Sequence, residues 1–400
     1  MTNVVNNTAI ANVTAISFGV IISDYIDLNI NFLEMLNKAS NLPLNMIKIN
    51  GSYLEGGGQI VRTALALSTL TGKPFTANNI RKGRSQPGLK NQHLTAVNTL
   101  RQMCDAQTKG AELASTELEY IPGKVNFKNL NIDIGTAGSI TLLLQAILPV
   151  VLFKDKKMKI QVKGGTDTKY SMPVDYFTNV FIPQLRRYAD FDISLEKRGY
   201  YPKGAGQLVI KLNPKYSFKE GIMENLSKLR EKPIKILEQN KLQVIYGASH
   251  ASKDLMKSNV AERQAKTAKY ILGKYGVASK ISIQYTDTLS TGSGITLWAM
   301  FSNSDEMDFQ NPVILGADSL GEKSKPAEKV GTEAAERLGN QIDSSAPIDK
   351  YLADQILPYL ALSGGEINVS EVTEHAKANI YVIEKFLDVK FKIKGNRISC

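Results

Sequence analysis

The sequence predicts an α/β (α+β) fold, with a large domain of three repeated helix–sheet units and a small inserted α+β domain. Three observations carry that expectation. A polar or glycine-rich entry, an apolar helix of about four turns and then a β segment recur three times. The order breaks off at about residue 226, and it resumes at Ile348.

The first copy begins after Met46, with IKING as a short strand, GGGQIVRTALALSTLTG as a helix and PFTANNI as a strand. The second is NIDIGTAGSITLLLQAILPVVLF followed by MKIQVKGG, and the third is IDKYLADQILPYLALSG followed by GEINVS. Each helix has more apolar surface than one unit can bury, so stacked copies must share a core. VTEHAKANIYVIEKFL adds a helix with Ala376, Ile380, Ile383 and Leu387 at helical spacing, and VKFKIKGNRIS adds a strand. In the interrupting stretch, LQVIYGASH, SNVAERQAKTAKYILGKYG, SKISIQYTD and GITLWAMFSN read as strand, helix, strand, strand. VILGADSLG and PAEKVGTEAAERLGNQI then add a strand and a helix. The expected limits are 46–225 with 342–400 for the repeat-built domain, and 226–341 for the insert. Residues 1–45 are rich in Asn, Ile and Val and carry Lys38 as their one basic residue. They are expected to be an appended, disordered extension or a mis-assigned start. Their apolar piece VTAISFGVII lacks the flanks of a signal peptide.

A hydrophobic content of 43% and a charged content of 22% are those of a soluble globular protein. No apolar run reaches the 18 residues or so that suggest a membrane span. Cys104 and Cys400, the only cysteines, are too few and too far apart for a disulfide framework or a metal site, which fits a reducing cytoplasm. The net charge of +11 favours anionic partners. Between Gly51 and Cys104, Glu55 is the only acid against seven basic residues. That pattern suits either a solvated basic face or an anion-binding floor in which one acid is kept for a purpose.

LEGGGQIVRTAL joins strand to helix through three glycines, which let backbone amides and a helix N-terminus approach phosphate. Such clusters also serve plain tight turns. Glu55 suits a divalent cation and Arg62 suits phosphate oxygens. RKGRSQPGLKNQH gathers Arg81, Lys82, Arg84 and Lys90 with the amides of Gln86, Asn91 and Gln92, and His93 closes it. The loop fits a phosphodiester or terminal phosphate. Gln145 lies deep along its helix, where a buried amide needs partners. Pro173, Tyr176 and Phe177 offer flat surfaces for a base. Asp354 and Gln355, beside Tyr351, suit a purine edge.

His375 follows Ser370 and Thr373, either of which serves as an N-cap, so it falls in the first turn of its helix. The positive helix end disfavours imidazolium. A neutral imidazole there is a nucleophile for phosphorus, and the same helix end would stabilise the phosphoryl group it acquires. First-turn histidines also serve as plain caps, and the stretch by itself leaves both readings open.

Taken in order, EGGGQIVRTALALS, RKGRSQPGLKNQHLTAV, GTAGSITLLLQAILP, GGTD, GYYPKGAGQ, YLADQ and EHAKANIYVIEKFL resemble the RNA 3′-terminal phosphate cyclases. The resemblance runs from about Met46 to Ile398. It implies an enolpyruvyl-transferase-like domain of three helix–sheet units with a small insert. It also implies an adenylate-forming ligase that takes ATP, a divalent metal (Mg or Mn) and RNA with a 3′-terminal phosphate. By that likeness His375 is the nucleophile that becomes histidinyl–AMP, and Glu55 is the metal ligand. Arg62, Arg81, Arg84, Gln92 and His93 form the phosphate and RNA-end site. Gln145, Pro173, Tyr351, Asp354 and Gln355 form the nucleotide pocket, with Pro173 and Tyr351 sandwiching adenine. The segment KYSMPVDYF departs most from the pattern and loosens the register of Pro173. The same family includes cyclase-like, non-catalytic proteins of ribosome assembly that lack the histidine; the presence of His375 favours the enzyme. Nothing in the sequence fixes the oligomeric state.

Overall fold

The computed structural model describes residues 46–54, 57–126, 128–153, 156–217, 222, 225–303 and 308–400. The expectations for residues 1–45 and for Glu55 lie outside the described residues. Residues Ile47–Cys400 form one compact unit.

Three four-stranded sheets repeat one topology. In the first, strands β1 (Ile47–Asn50), β2 (Phe75–Asn78), β3 (Gln107–Lys109) and β4 (Leu118–Ile121) stand in the order β1-β2-β4-β3. β1 and β2 are parallel, as a helical crossover requires, and the remaining pairs are antiparallel. The crossover is α1 (Gly58–Thr71), and α2 (Asn91–Cys104) follows β2. The second sheet uses β5 (Leu130–Asp133), β6 (Met158–Gly164), β7 (Ala189–Lys197) and β8 (Gly206–Pro214) in the order β5-β6-β8-β7, with α3 (Ile140–Val151) crossing between β5 and β6. A helical run over 174–185 then occupies the place that α2 holds in the first unit.

The third unit begins earlier in the chain than its sequence pattern suggests. Strand β9 (Ile234–Ile236) falls within the stretch read as insert, yet it pairs in parallel with β14 (Gly365–Asn368). β14 pairs with β16 (Arg397–Ser399), and β16 with β15 (Lys392–Lys394), so the order β9-β14-β16-β15 repeats the other two. The helix α6 (Lys350–Ser363) crosses from β9 to β14, and α7 (Glu374–Phe386) follows β14. Between β9 and α6 stands the fourth sheet. Its strands β10 (Lys241–Ser252), β11 (Ser279–Thr286), β12 (Ser293–Ser302) and β13 (Val313–Leu320) take the order β11-β10-β12-β13, with helices α4 (Val260–Leu272) and α5 (Ala327–Asp343) packed on it.

Burial alternates along the strands of the repeat sheets, as in Met158–Gly164, so each sheet keeps one wet face and packs the other on helices. The helices meet at the centre, where α1 packs against α2, α3 and α7, and α6 packs against α7. Leu65, Leu67, Leu144, Ile147, Leu357, Leu360, Val382 and Ile383 are fully buried there. Two aromatic groups proposed as base platforms are part of this core. Phe177 is fully buried, and Tyr176 donates its hydroxyl to Asp349 Oδ1 at 2.7 Å, the carboxylate that caps α6. Neither presents a face to a ligand.

Candidate active site

Helix N-termini from all three units point toward one place. Thr373 caps α7, its Oγ1 accepting from Ala376 N at 3.1 Å, which sets His375 in the first turn. Ser370 is instead tied to Gln341 through a 2.6 Å bond. The α1 start is capped by no side chain and is bare glycine. A Cβ built on Gly57 would stand 3.7 Å from Arg84 Nη2 and 3.9 Å from His375 Cε1. One built on Gly58 would stand 1.9 Å from His93 Nε2, so only glycine lets α1 and α2 approach this closely. The first turn of α2 reaches on to the second unit, where Gln92 Oε1 accepts from Ser139 N, the cap of α3, at 3.3 Å. Such a meeting of helix starts gathers partial positive charge and exposed N–H groups, the setting in which phosphate is bound.

The charged groups around this point are strongly perturbed. Burial lowers Arg62 to about 10 against the pull of Asp354, and its Nε donates to Gln145 Oε1 at 3.2 Å. Burial pushes His93 down to about 3, helped by Arg62, Arg81 and Lys90. Its Nδ1 accepts from Lys90 N at 3.0 Å, which assigns the hydrogen to Nε2, the atom facing Gly58. His93 is therefore a neutral donor at working pH. Burial also raises Asp354 to about 7, while Gln59 Nε2, donating to Oδ2 at 2.6 Å, and Arg62 oppose the rise.

A proline organises the helix that carries His375 from a distance. Pro358 has no N–H, so the carbonyl of Asp354, four residues earlier in α6, loses its helical donor. Asn379 supplies one, with Nδ2 donating to Asp354 O and Oδ1 accepting from Thr63 Oγ1, each at 2.5 Å. Asn379 lies one turn beyond His375 and is buried, so a single amide locks α7 to both α1 and α6. Tyr381 adds a second tie, its hydroxyl accepting from Asn50 N at 3.2 Å and its ring stacked 4.3 Å from Tyr53. Beside the lock is a cleft lined by Gln59, Arg62, Gln145, Gln355, Pro358 and Tyr359, among others. Two buried atoms there, Gln355 Oε1 and Tyr359 Oη, have no hydrogen-bond partner among the described residues.

The family model for RNA 3′-terminal phosphate cyclase matches residues 53–393. The chain belongs to the RNA 3′-terminal phosphate cyclase family. Relatives named as the cyclase, aligned over nearly the whole chain, class it as an enzyme of this type. It is 42% identical over 351 residues to the RNA 3′-terminal phosphate cyclase of Pyrococcus furiosus, covering 88% of this chain and 96% of that protein. It is 43% identical over 361 residues to that of Methanosarcina acetivorans, with 87% and 97% covered. The Saccharolobus solfataricus protein of the same name is 42% identical over 355 residues, with 88% and 97% covered.

Within this family member, His375, Arg84 and His93 meet around Gly57 and Gly58, with Gln92 next to His93. Arg62, Gln145 and Gln355 line one cleft, and Asp354 joins it through Gln59. Arg81 does something more local. It sits at a φ of 56° and donates Nη1 to the carbonyls of Gln86 (2.9 Å) and Gly88 (2.8 Å), so it shapes the loop that presents Arg84. Pro173 is buried at the entry to the 174–185 run and is not among the residues lining the cleft; Tyr351 is 40% exposed at the start of α6. Sequence reasoning missed Gln59, Thr63 and Asn379. The available signal was Asn379 itself, an amide on the face of α7 that Ala376 and Ile383 mark as buried. Among the described residues no helix is long and apolar enough to cross a membrane.

The Gly58 contact carries a direct prediction. Gly58→Ala forces a methyl group into His93 Nε2, and the ring or the helix must move. The expected cost is about 1–3 kcal/mol of stability, read by thermal unfolding. Activity should fall by more than the lost folded fraction accounts for.

Proposed function

We propose that the protein converts an RNA 3′-terminal phosphate to a 2′,3′-cyclic phosphate in an ATP-dependent, three-step reaction through His375. The observation that carries this reading is the approach of His375 and Arg84 to the bare start of α1 at Gly57, with His93 against Gly58.

In the first step a ring nitrogen of His375 bonds to the α-phosphorus of ATP as the bond to the bridging oxygen breaks and pyrophosphate leaves. Arg84, the amides at Gly57 and Gly58 and the Nε2–H of His93 face the phosphate oxygens on which charge builds. In the second, an oxygen of the RNA 3′-phosphate attacks the same phosphorus and His375 departs, leaving RNA-3′-pp-5′-A. In the third, the vicinal 2′-hydroxyl attacks the RNA phosphorus, loses its proton and expels AMP.

The polar groups of the cleft are assigned to the nucleoside, and its free space of about 20 Å³ has to widen to admit a base. Gln355 Oε1 and Tyr359 Oη can take up donors and acceptors of a purine, and the carboxylate of Asp354 can accept from its amino group. Pro173 and Tyr351 are assigned to the faces of the ring. Arg62, Arg81 and Gln92 belong to the RNA-phosphate side, Arg81 through the loop it holds. A divalent cation (Mg or Mn) would screen phosphate charge, and Glu55 is its assigned ligand. The one group of ligand-type side chains among the described residues, Asp167, Asp175 and His250, does not fit that cation, because Arg198 already sits 3.2 and 2.8 Å from the two carboxylates. On the same reading the inserted domain begins nearer Lys241 than residue 226, a limit that the pairing of β9 with β14 supports.

The deciding experiment supplies ATP, magnesium and an RNA ending in a 3′-phosphate. Phosphatase-resistant cyclic ends are expected, and a 2′-deoxy terminus should stop the reaction at the adenylylated end. RNA binding with no ATP-dependent change of the terminus would favour a non-catalytic RNA-binding protein instead. A second result follows from Asp354. Its carboxyl is raised to about 7, so the ionised, accepting form is gained as pH rises. The KM for ATP in self-adenylylation should fall between about pH 6 and 8, and Asp354→Asn should flatten that dependence.

A further inference from the structure

Two tyrosines stand far out of the surface where the second repeat sheet meets the inserted one. Tyr170 is 91% exposed and Tyr201 is 77% exposed. Their loops are neighbours, since Asp167 and Tyr200 form a parallel bridge. Directly beneath lies a charged network shielded from water. Arg198 Nη1 meets Asp167 Oδ2 at 3.2 Å and Asp175 Oδ2 at 2.8 Å, while its Nη2 donates to Gln284 Oε1 at 2.8 Å. His250 Nε2 lies 3.3 Å from Asp167 Oδ1, and its Nδ1 shares a hydrogen with Tyr200 Oη at 2.8 Å. Burying this much charge is costly unless the geometry is fixed. Here it ties two loops of the repeat domain to β10 and β11 of the insert, and those loops carry the two exposed tyrosines.

The surface is continuous with the candidate active site. Gln92 contacts Ser139, and a Cβ at Gly204 would come within 2.7 Å of Ala137 Cα, so the 199–206 loop abuts the turn that opens α3. Lys203 N then donates to Ser290 Oγ at 3.1 Å, joining this loop to the insert. Lys169 and Lys203, beside the tyrosines in the chain, are exposed, as are Lys253 and Lys257 beyond the end of β10, whose Ser252 N donates to the carbonyl of Gly292, the residue packed on the Tyr200 ring. Of the acids on the same loops, Asp254 is engaged by Thr291 and Glu322 by Lys169, and Asp287 is exposed. Flat aromatic faces, cations with few free acids, and a path leading to a phosphate site match single-stranded RNA, whose unpaired bases stack on aromatics while its phosphates meet lysines.

We propose that this surface carries the RNA strand upstream of its 3′ end, with Tyr201 and Tyr170 stacking on unpaired bases and Lys203 and Lys253 meeting phosphates. The proposal rests on the reading that the Gly57 site takes an RNA 3′ terminus, and it gives the inserted domain a part in substrate binding.

The test compares 3′-phosphorylated RNAs of two lengths, a dinucleotide and an oligomer of about ten nucleotides, with wild-type, Tyr201→Ala, Tyr170→Ala and Tyr201→Phe proteins. Self-adenylylation without RNA should be the same in all four. For the longer RNA, each alanine variant should lose roughly 5- to 100-fold in kcat/KM, mostly through KM. The dinucleotide should be processed at the wild-type rate, and Tyr201→Phe should keep most of the activity. Equal losses on both RNAs, or no loss on either, would overturn the proposal. If the wild-type protein forms no adenylate, direct binding of the same RNAs separates the two claims. A preference for the longer RNA that Tyr201→Ala removes would sustain the surface while removing the catalytic reading. No such preference would overturn the surface as well.

Discussion

His375→Asn is expected to leave the protein folded and to abolish the transfer of AMP from ATP to the enzyme. Asparagine keeps the polar first-turn position and disturbs little, because Thr373 rather than residue 375 caps the helix. It has no ring nitrogen able to form and release a bond to phosphorus. Incubation with magnesium and ATP labelled at the α-phosphate, followed by denaturation, should give an acid-labile, alkali-stable label on the wild-type protein and none on the variant. An unchanged thermal transition in the variant excludes unfolding as the cause. Retention of label by His375→Asn would sink the mechanism.

The second large effect belongs to a buried residue whose amide bonds to two other helices. Asn379→Leu removes the donor to Asp354 O and the acceptor for Thr63 Oγ1 together, leaving two buried polar atoms without partners. The expected destabilisation is about 2–5 kcal/mol. The sharper outcome is kinetic. Without the lock, α7 can shift against α1, and on the proposed mechanism a displacement of about 1 Å of the His375 ring is worth roughly 100-fold in rate. Self-adenylylation measured well below the unfolding temperature should fall by that order, with the KM for ATP changing far less. Asn379→Asp keeps the acceptor for Thr63 but sets a carboxylate against a carbonyl, so it should also fail. Near-normal rates in a destabilised Asn379→Leu protein would show that the lock serves stability alone.

These two residues mark what the sequence does and does not display. The repeat was legible because apolar helices opened by glycine or small polar residues recur in IVRTALALSTL, ITLLLQAIL and YLADQILPYL. His375 in a first turn was legible because Thr373 precedes it at cap spacing. The third unit's first strand was hidden, since β9 is three residues long and finds its partner β14 only across the whole inserted sheet. Arg81 read as one more phosphate cation because nothing local announces the left-handed turn that folds its guanidinium onto Gln86 and Gly88. Gln59 and Asn379 were invisible for a similar reason. Their partners lie on other helices, and the need for Asn379 arises from Pro358, whose effect is felt at the Asp354 carbonyl. The Arg198 network draws on four separate segments, and no local motif marks its members.

The proposed reaction depends on one covalent bond, and peptide mapping of the adenylylated protein locates it. The protein would be loaded with ATP and magnesium, digested under alkaline conditions that preserve a phosphoramidate, and the AMP-bearing peptide sequenced by mass spectrometry. The modification is expected on His375 and on no other residue. AMP attached to a lysine or to another histidine, or a fully folded protein that takes up no AMP under these conditions, would rule out His375 as the adenylylated residue.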